Sequence, residues 1–310
     1  MSDIQTTAIL GGGVIGASWA ALFLAAGRQV TVYDPHPDAE LNLRIYIETA
    51  WPALEELGLA DRATPEALDF APTAAKAVEG AQFIQENVPE RLPIKHATYA
   101  EIEPALTAGA IVSSSTSGLT LEALQEGWRA PDPLILGHPF NPPHLIPLVE
   151  LTANAKTGAG VLDRTEAFYA DIGKVTIRIN KGMPGHVANR LQAAVWREAV
   201  HMAIEGVASI EDIDKAMWAG PGLRWAAMGP TTLFHLGAGD AGLQGFCDHF
   251  KDTFNGWWDD LGDPRLDEDV IRKLVEGMNT QAKSRSPKEL SAERDRMLTA
   301  IQAATRGLRS

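Results

Sequence analysis

Cysteine is nearly absent. Cys247 is the only one in 310 residues, so no intrachain disulfide can form and a reducing compartment is expected. A lone cysteine is more often an inert side chain than a nucleophile. No apolar run reaches the ~18 residues of a membrane span, and the opening MSDIQTTAIL lacks the basic stretch of a secretory signal. A cytoplasmic protein with no membrane partner is expected. Positive charge is scarce as well, with 27 Lys and Arg against 40 Asp and Glu, a net charge of -13 and a pI of about 5.1. An acidic surface attracts neither nucleic acid nor anionic lipid, so neither is expected as a partner. An anionic small substrate would need its own local Arg or Lys. No metal site is assigned.

Hydrophobic residues make up 45% of the chain, an ordinary globular fraction, and the length suits about two domains. The clearest local pattern lies at the start. Thr6 to Leu10 reads as a short buried strand, followed by Gly11, Gly13 and Gly16 in the spacing G-x-G-x-x-G. Ile15, Trp19, Leu22 and Phe23 then recur on one face of a helix. A second strand, VTVYD, ends at Asp34. Together these make a βαβ unit that fits a dinucleotide. Gly11 permits the tight turn, Gly13 lets a pyrophosphate approach the backbone, and Gly16 lets helix and strand pack closely. The first-turn N–H groups, around Val14 and Ile15, face the phosphates. Asp34 sits where an acid accepts the ribose hydroxyls and repels a 2′-phosphate, which favours NAD over NADP.

Strand and helix patterns alternate onward. Residues 38–60 read as helix, with Leu41, Ile45, Leu54 and Leu57 as core candidates. Gln82 to Glu86 reads as a strand, 91–106 as helix, Ala110 to Ser114 and LILGHPF as further strands. This order predicts a doubly wound, Rossmann-type parallel sheet over residues 1–183. Its ligands lie at the C-terminal ends of the strands, where Glu86, Ser117 and His138 fall. After KVTIRINKGMPG the pattern becomes helical, giving a second, all-helical domain over 184–310. It begins with a helix at 185–206 that turns Val187, Leu191, Val195 and Met202 inward. Ser209 caps the next helix, with Asp212 three residues on.

One stretch poses a question of its own. GHPFNPPHLIPLVE, residues 137–150, is too rich in proline for a helix, yet carries His138 near its start and Glu150 at its end. Either both are packed core groups, or the stiff segment holds an acid–base pair.

The ordered set GGGVIG with Asp34, ENVPE at 86–90, SSTSGL at 114–119, GHPFNPP at 137–143, PLVEL at 147–151 and PGHVANRL at 184–191 resembles the 3-hydroxyacyl-CoA dehydrogenase family over about residues 6–250. The resemblance implies NAD-dependent oxidation of an L-3-hydroxyl to a ketone and a homodimer formed through the helical domain. It implies His138 as general base and Glu150 as its partner, with Ser117 and Asn189 hydrogen-bonded to the reacting oxygen and Asn141 shaping the turn. Glu90, Lys95 and Ser115 join the glycines and Asp34 as cofactor contacts. A base must take the hydroxyl proton as hydride leaves carbon, and an imidazole backed by a carboxylate suits that task.

The chain departs from the pattern in places. It has Ser115-Thr116-Ser117-Gly118 where acyl-CoA members usually read Asn-Thr-Ser-Ser, and His186 where Phe is usual after the glycine. Residues 35–61 hold a single cation, Arg44, in the region that receives CoA in acyl-CoA members, although phosphates need cations. GPGLRWAAMGP at 220–230 carries Arg224, which suits a substrate carboxylate or a structural ion pair. The first two departures could reshape the pocket; the scarcity of cations and Arg224 point to the branch acting on small free hydroxy acids of the gulonate or carnitine kind. A short-chain 3-hydroxyacyl-CoA dehydrogenase and a non-catalytic NAD-binding protein are the alternatives. Trp218, Trp225, Trp257 and Trp258 suit a core or dimer interface, or a cage for a quaternary ammonium. His144, His186, His201, His235 and His249 are expected to be structural or on the surface.

Overall fold

The computed structural model describes residues 3–308 and divides into two units, residues 1–187 with 291–310, and residues 188–290. The first unit runs β1 (Thr6–Leu10), α1 (Val14–Ala25), β2 (Gln29–Tyr33), α2 (Ala39–Leu57), β3 (Leu68–Phe70), α3 (Ala74–Val78), β4 (Phe83–Glu86), α4 (Leu92–Ile102), β5 (Ile111–Ser114), α5 (Leu121–Gln125), β6 (Leu134–Pro139), β7 (Leu148–Thr152), α6 (Val161–Asp171) and β8 (Val175–Arg178). The eight strands form one sheet in the order β3-β2-β1-β4-β5-β6-β7-β8. Helices cover both faces, as the alternating pattern predicts.

The sheet is not parallel throughout. Strands β1 to β6 run the same way, but β7 pairs antiparallel with β6 and carries β8 parallel beside it. Chain length explains the reversal. A parallel neighbour needs a crossover of a dozen or more residues, and only residues 140–147, three of them proline, separate β6 from β7. The segment has room to turn back and none to cross over.

One face of the sheet is sealed by α1 and α6 through an aromatic cluster. Trp19 stacks on Tyr169 at 5.5 Å, and Phe83 packs on Phe168 at 4.2 Å. Helix α1 is buried on nearly every side because α2 lies over it. In α2 the inward stripe is Leu43, Ile47, Ala50 and Leu54, whereas Leu41 and Ile45, expected in the core, are exposed. The true stripe follows i, i+4, i+7, i+11, and Leu41 and Ile45 lie off it. The other face is covered by α3, α4 and α5 through Val78, Tyr99, Ile102, Leu121 and Leu124.

The second unit holds α7 (Ala188–Ile204), α8 (Ile210–Ala219), α9 (Pro221–Ala227), α10 (Pro230–Gly237), α11 (Gly242–Asp260) and α12 (Glu268–Ala282). Helix α13 (Pro287–Thr305) follows, and from Ser291 on it belongs to the first unit. The expected second domain, 184–310, therefore loses its last stretch to the first. Ser209 caps α8 as predicted, accepting the Asp212 N–H at 3.1 Å. Within this unit only Val200, Gly242, Gly262 and Val270 are buried. Leu191, expected to face inward, is exposed.

The 140–147 segment is pinned at two points. His144 receives a hydrogen bond from Ser18 or gives one through Nδ1 at 2.8 Å, and its backbone N–H donates to the Ser18 hydroxyl at 2.8 Å. The buried Lys174 donates to the Pro143 carbonyl and to that of Ile146 at 2.8 Å, and its ammonium stands 4.7 Å above the Trp19 ring. Burial pulls His144 down to about 4 and Lys174 to about 7. Native His144 is thus neutral where an unfolded chain already binds a proton. The stability this confers is complete above the ordinary histidine value and is lost as pH falls toward 4. Urea unfolding at pH 7.5 and 4.5 should show wild type losing roughly 2–3 kcal/mol more than His144→Gln over that interval.

Candidate active site

The glycine loop between β1 and α1 forms one wall. Gly11 has φ 89°, and a side chain there would sit 2.6 Å from the Asn87 carbonyl. At Gly16 an added Cβ would overlap the Gly11 carbonyl itself, so both glycines are required by packing. Gly13 differs, because an added Cβ there would meet nothing within 4 Å. It caps α1 without a side-chain hydrogen bond, which leaves the first-turn N–H groups aimed at open space. Val14 is 63% exposed and Ile15 half-buried. At the end of β2, Asp34 accepts the Gly12 N–H at 2.7 Å and the His36 N–H at 2.8 Å. This ties the acid to the loop and leaves further lone pairs on its oxygens. An open helix N-terminus above a glycine with room beside it, next to a fixed acid, fits the pyrophosphate and ribose of a dinucleotide.

The loops after β4 and β5 form the floor. Glu86 is fully buried. It accepts from Lys95 at 2.7 Å, from the Val88 N–H at 2.8 Å, and from Tyr99 and Ser114 at 2.6 Å each. Lys95, expected to touch the cofactor, is 1% exposed and also bonds the Val88 carbonyl at 3.1 Å. It therefore lies under the ENVPE loop, supporting it. Glu90 is exposed at the loop's end. Its carboxylate accepts from the Thr116 hydroxyl and from the N–H groups of Ser117 at 3.0 Å and Gly118 at 2.8 Å. Partial burial raises its pKa, but these hydrogen bonds and Lys95 outweigh it, so the carboxyl lies below its ordinary value. Ser115 bridges Gln85 and Asn87 at 2.9 and 2.7 Å. Ser117 is exposed, its turn held by Glu90.

The question posed by the proline-rich segment has a geometric answer. His138 on β6 and Glu150 on β7 are direct partners across the antiparallel register, so their side chains leave the sheet on one face. His138 Nδ1 and Glu150 Oε2 are 2.9 Å apart, and both groups are buried. The other Glu150 oxygen accepts the Val187 N–H at 2.9 Å. With Nδ1 committed to a carboxylate, Nε2 is the ring nitrogen left to accept a proton.

The turn that supplies Val187 brings a residue the sequence reading had set aside. His186 has φ 51° and is buried, its ring 4.9 Å from that of His138. Burial and then His138 hold its pKa below the ordinary value. The available signal was its position, next to a glycine in PGHVANRL, where the pattern has an apolar ring.

Asn189 and Arg224 lie in the second unit, on α7 and α9. Arg224 is exposed. Among the described residues no ring contact joins Trp218 or Trp225 to Trp257 or Trp258, while the last two pack on Phe254 at 5.1 and 5.9 Å. Among the described residues no helix is long and apolar enough to cross a membrane.

Residues 6–182 match the 3-hydroxyacyl-CoA dehydrogenase NAD binding domain, and residues 185–286 the C-terminal domain of the same family. An L-carnitine dehydrogenase of Nocardiopsis dassonvillei is 44% identical over 97% of this chain and 92% of its own. One from Pseudomonas putida is 40% identical over 99% and 95%. A crystal structure of 5-formyl-3-hydroxy-2-methylpyridine 4-carboxylic acid 5-dehydrogenase, described as an NAD+ dependent dismutase, superposes with a TM-score of 0.82. It is 30% identical and covers 98% of this chain and 99% of its own.

The two kinds of glycine separate in a test. Gly13→Ala should leave the melting temperature within about 2 °C, since its φ is ordinary and space is free, while weakening NADH binding about tenfold or more. Gly16→Ala should lower the melting temperature or abolish folding. Titration calorimetry and thermal melts distinguish them.

Proposed function

This chain belongs to the 3-hydroxyacyl-CoA dehydrogenase family, and on that premise we propose that it oxidises the L-3-hydroxyl of a small free hydroxy acid to the ketone with NAD. The observation that carries the proposal is the His138–Glu150 pair, set across the β6–β7 register at the strand ends where the glycine loop opens.

In this mechanism the substrate hydroxyl donates to His138 Nε2. As the C–H bond breaks, the proton passes to the imidazole and the oxygen becomes a carbonyl. Glu150 fixes the ring through Nδ1 and stabilises the imidazolium that forms. Ser117, and Asn189 in the second unit, are assigned as donors to the reacting oxygen, where they stabilise alkoxide character. Bound NAD supplies the hydride acceptor. Gly11, Gly13, Gly16, Val14 and Ile15 would hold its pyrophosphate, Asp34 the adenosine ribose, and Glu90 and Ser115 the loops beside the nicotinamide half. Lys95 acts from beneath.

The absence of an anion-binding surface on α2 supports a free acid over a CoA thioester. Its one cation, Arg44, is engaged by Glu40 at 2.8 Å, and the helix carries Glu48, Glu55 and Glu56 besides. Arg224 is assigned to the substrate carboxylate. Between carnitine-like and gulonate-like acids, the named sequence relatives favour L-carnitine. A homodimer is part of the proposal. The second unit leaves Trp196, Trp218, Leu191 and Leu236 exposed, and such apolar surface is characteristic of obligate interfaces. The cytoplasm is the proposed location.

NADH formation at alkaline pH should be seen with free acids, L-carnitine foremost, in a panel that includes L-gulonate, 3-hydroxybutyrate and its CoA thioester. Turnover of the thioester alone would overturn the proposal. His138→Asn should lower kcat by about 10²–10⁴-fold while NADH affinity stays within about twofold.

A further inference from the structure

His186 is given no part in that mechanism, yet its surroundings are hard to explain as packing. The side chain is 8% exposed, and among the described residues neither Nδ1 nor Nε2 has a hydrogen-bond partner. Thr116 lies close enough for its backbone to favour the charged ring, but without forming a hydrogen bond. Buried polar groups are nearly always paired, and an exception calls for a missing partner. The turn also holds His186 at φ 51°, sparsely populated for any residue but glycine. It is closed by the His186 N–H on the Met183 carbonyl at 3.1 Å and by Val187 on Glu150. The clasp that fixes Glu150 thereby also fixes the second imidazole, 4.9 Å from His138.

We propose that His186 is a specificity-determining residue whose ring N–H donates to a carboxylate oxygen of the substrate. The proposal rests on the oxidation of a free hydroxy acid. In a 3-hydroxy acid the carboxylate is attached one carbon away from the carbinol. A substrate whose hydroxyl sits on His138 Nε2 therefore carries its carboxylate about one ring spacing away, where His186 stands. The neutral imidazole offers one donor and one acceptor, and burial together with His138 keeps it neutral. Neutrality matters, because a second cation beside His138 would oppose protonation of the base. An apolar ring at this position would pack as well but remove one donor to the carboxylate, leaving it to Arg224 alone. An acyl thioester presents no anionic oxygen there, so the residue discriminates between the two substrate classes.

The test compares kcat/KM for the free hydroxy acid and its methyl ester in wild type, His186→Phe and His186→Asn, with NADH affinity measured in parallel. Wild type should prefer the acid. In His186→Phe the acid-to-ester ratio should fall about ten- to a hundredfold, the size expected for loss of a hydrogen bond to a charged group. The loss should fall mainly in KM for the acid, with NADH affinity unchanged. His186→Asn, which keeps an N–H donor, should recover part of the ratio. If His186→Phe does not fold, His186→Leu reads the same ratio. An unchanged ratio, or a loss confined to NADH binding, would overturn the role of His186. If wild type oxidised the thioester and no free acid, the proposed function would fail before any variant was made, so the two failures are distinguishable.

Discussion

Everything in the site is arranged around one cross-strand pair. Strand β6 is the last to run with β1, and β7 turns back against it so that His138 and Glu150 face each other directly. Had the sheet continued parallel, a crossover would have carried the chain away and no residue of the next strand would have been forced opposite the histidine. The short link makes the pairing a matter of register, and register in a buried sheet is strongly specified because a one-residue slip would turn the side chains to the other face.

The remaining contacts hold that reversal still. Ser18 on α1 and Lys174 before β8 grip the link from two sides, and the turn at 183–187 closes over Glu150. On the neighbouring strands, buried Glu86 gathers Lys95, Tyr99 and Ser114, and Glu90 orders the turn bearing Ser117. A buried charge such as Glu86 is costly unless fully paired. Here the pairing anchors the loops on which the cofactor contacts are proposed to sit.

Much of this was legible in the residues. The βαβ fingerprint identified Gly11, Gly13, Gly16 and Asp34, because each answers a local steric or electrostatic demand. The spacing of His138 and Glu150 around four prolines raised the right question. What local pattern could not supply was direction and depth. The antiparallel β7 follows from a chain-length argument about the link. The inward stripe of α2 depends on what packs over it, so Leu41 and Ile45 were placed in a core that Leu43 and Ile47 fill. Lys95 reads as a cofactor contact by motif, while its depth, set by Glu86 and the loop above, shows only in the fold. His186 stands out in the residues only as a histidine where an apolar ring is usual; that the turn folds it against His138 is not legible in local pattern.

The central claim is that His138 and Glu150 act as one unit. A double-mutant cycle on kcat with His138→Ala, Glu150→Ala and the pair of substitutions tests it most directly. If the carboxylate works only through the imidazole, the double variant should be no slower than His138→Ala alone, within about threefold. Fully additive losses, with the double variant slower by the product of the two single effects, would contradict the account. They would mean that the 2.9 Å contact is structural and that the two groups serve separate ends.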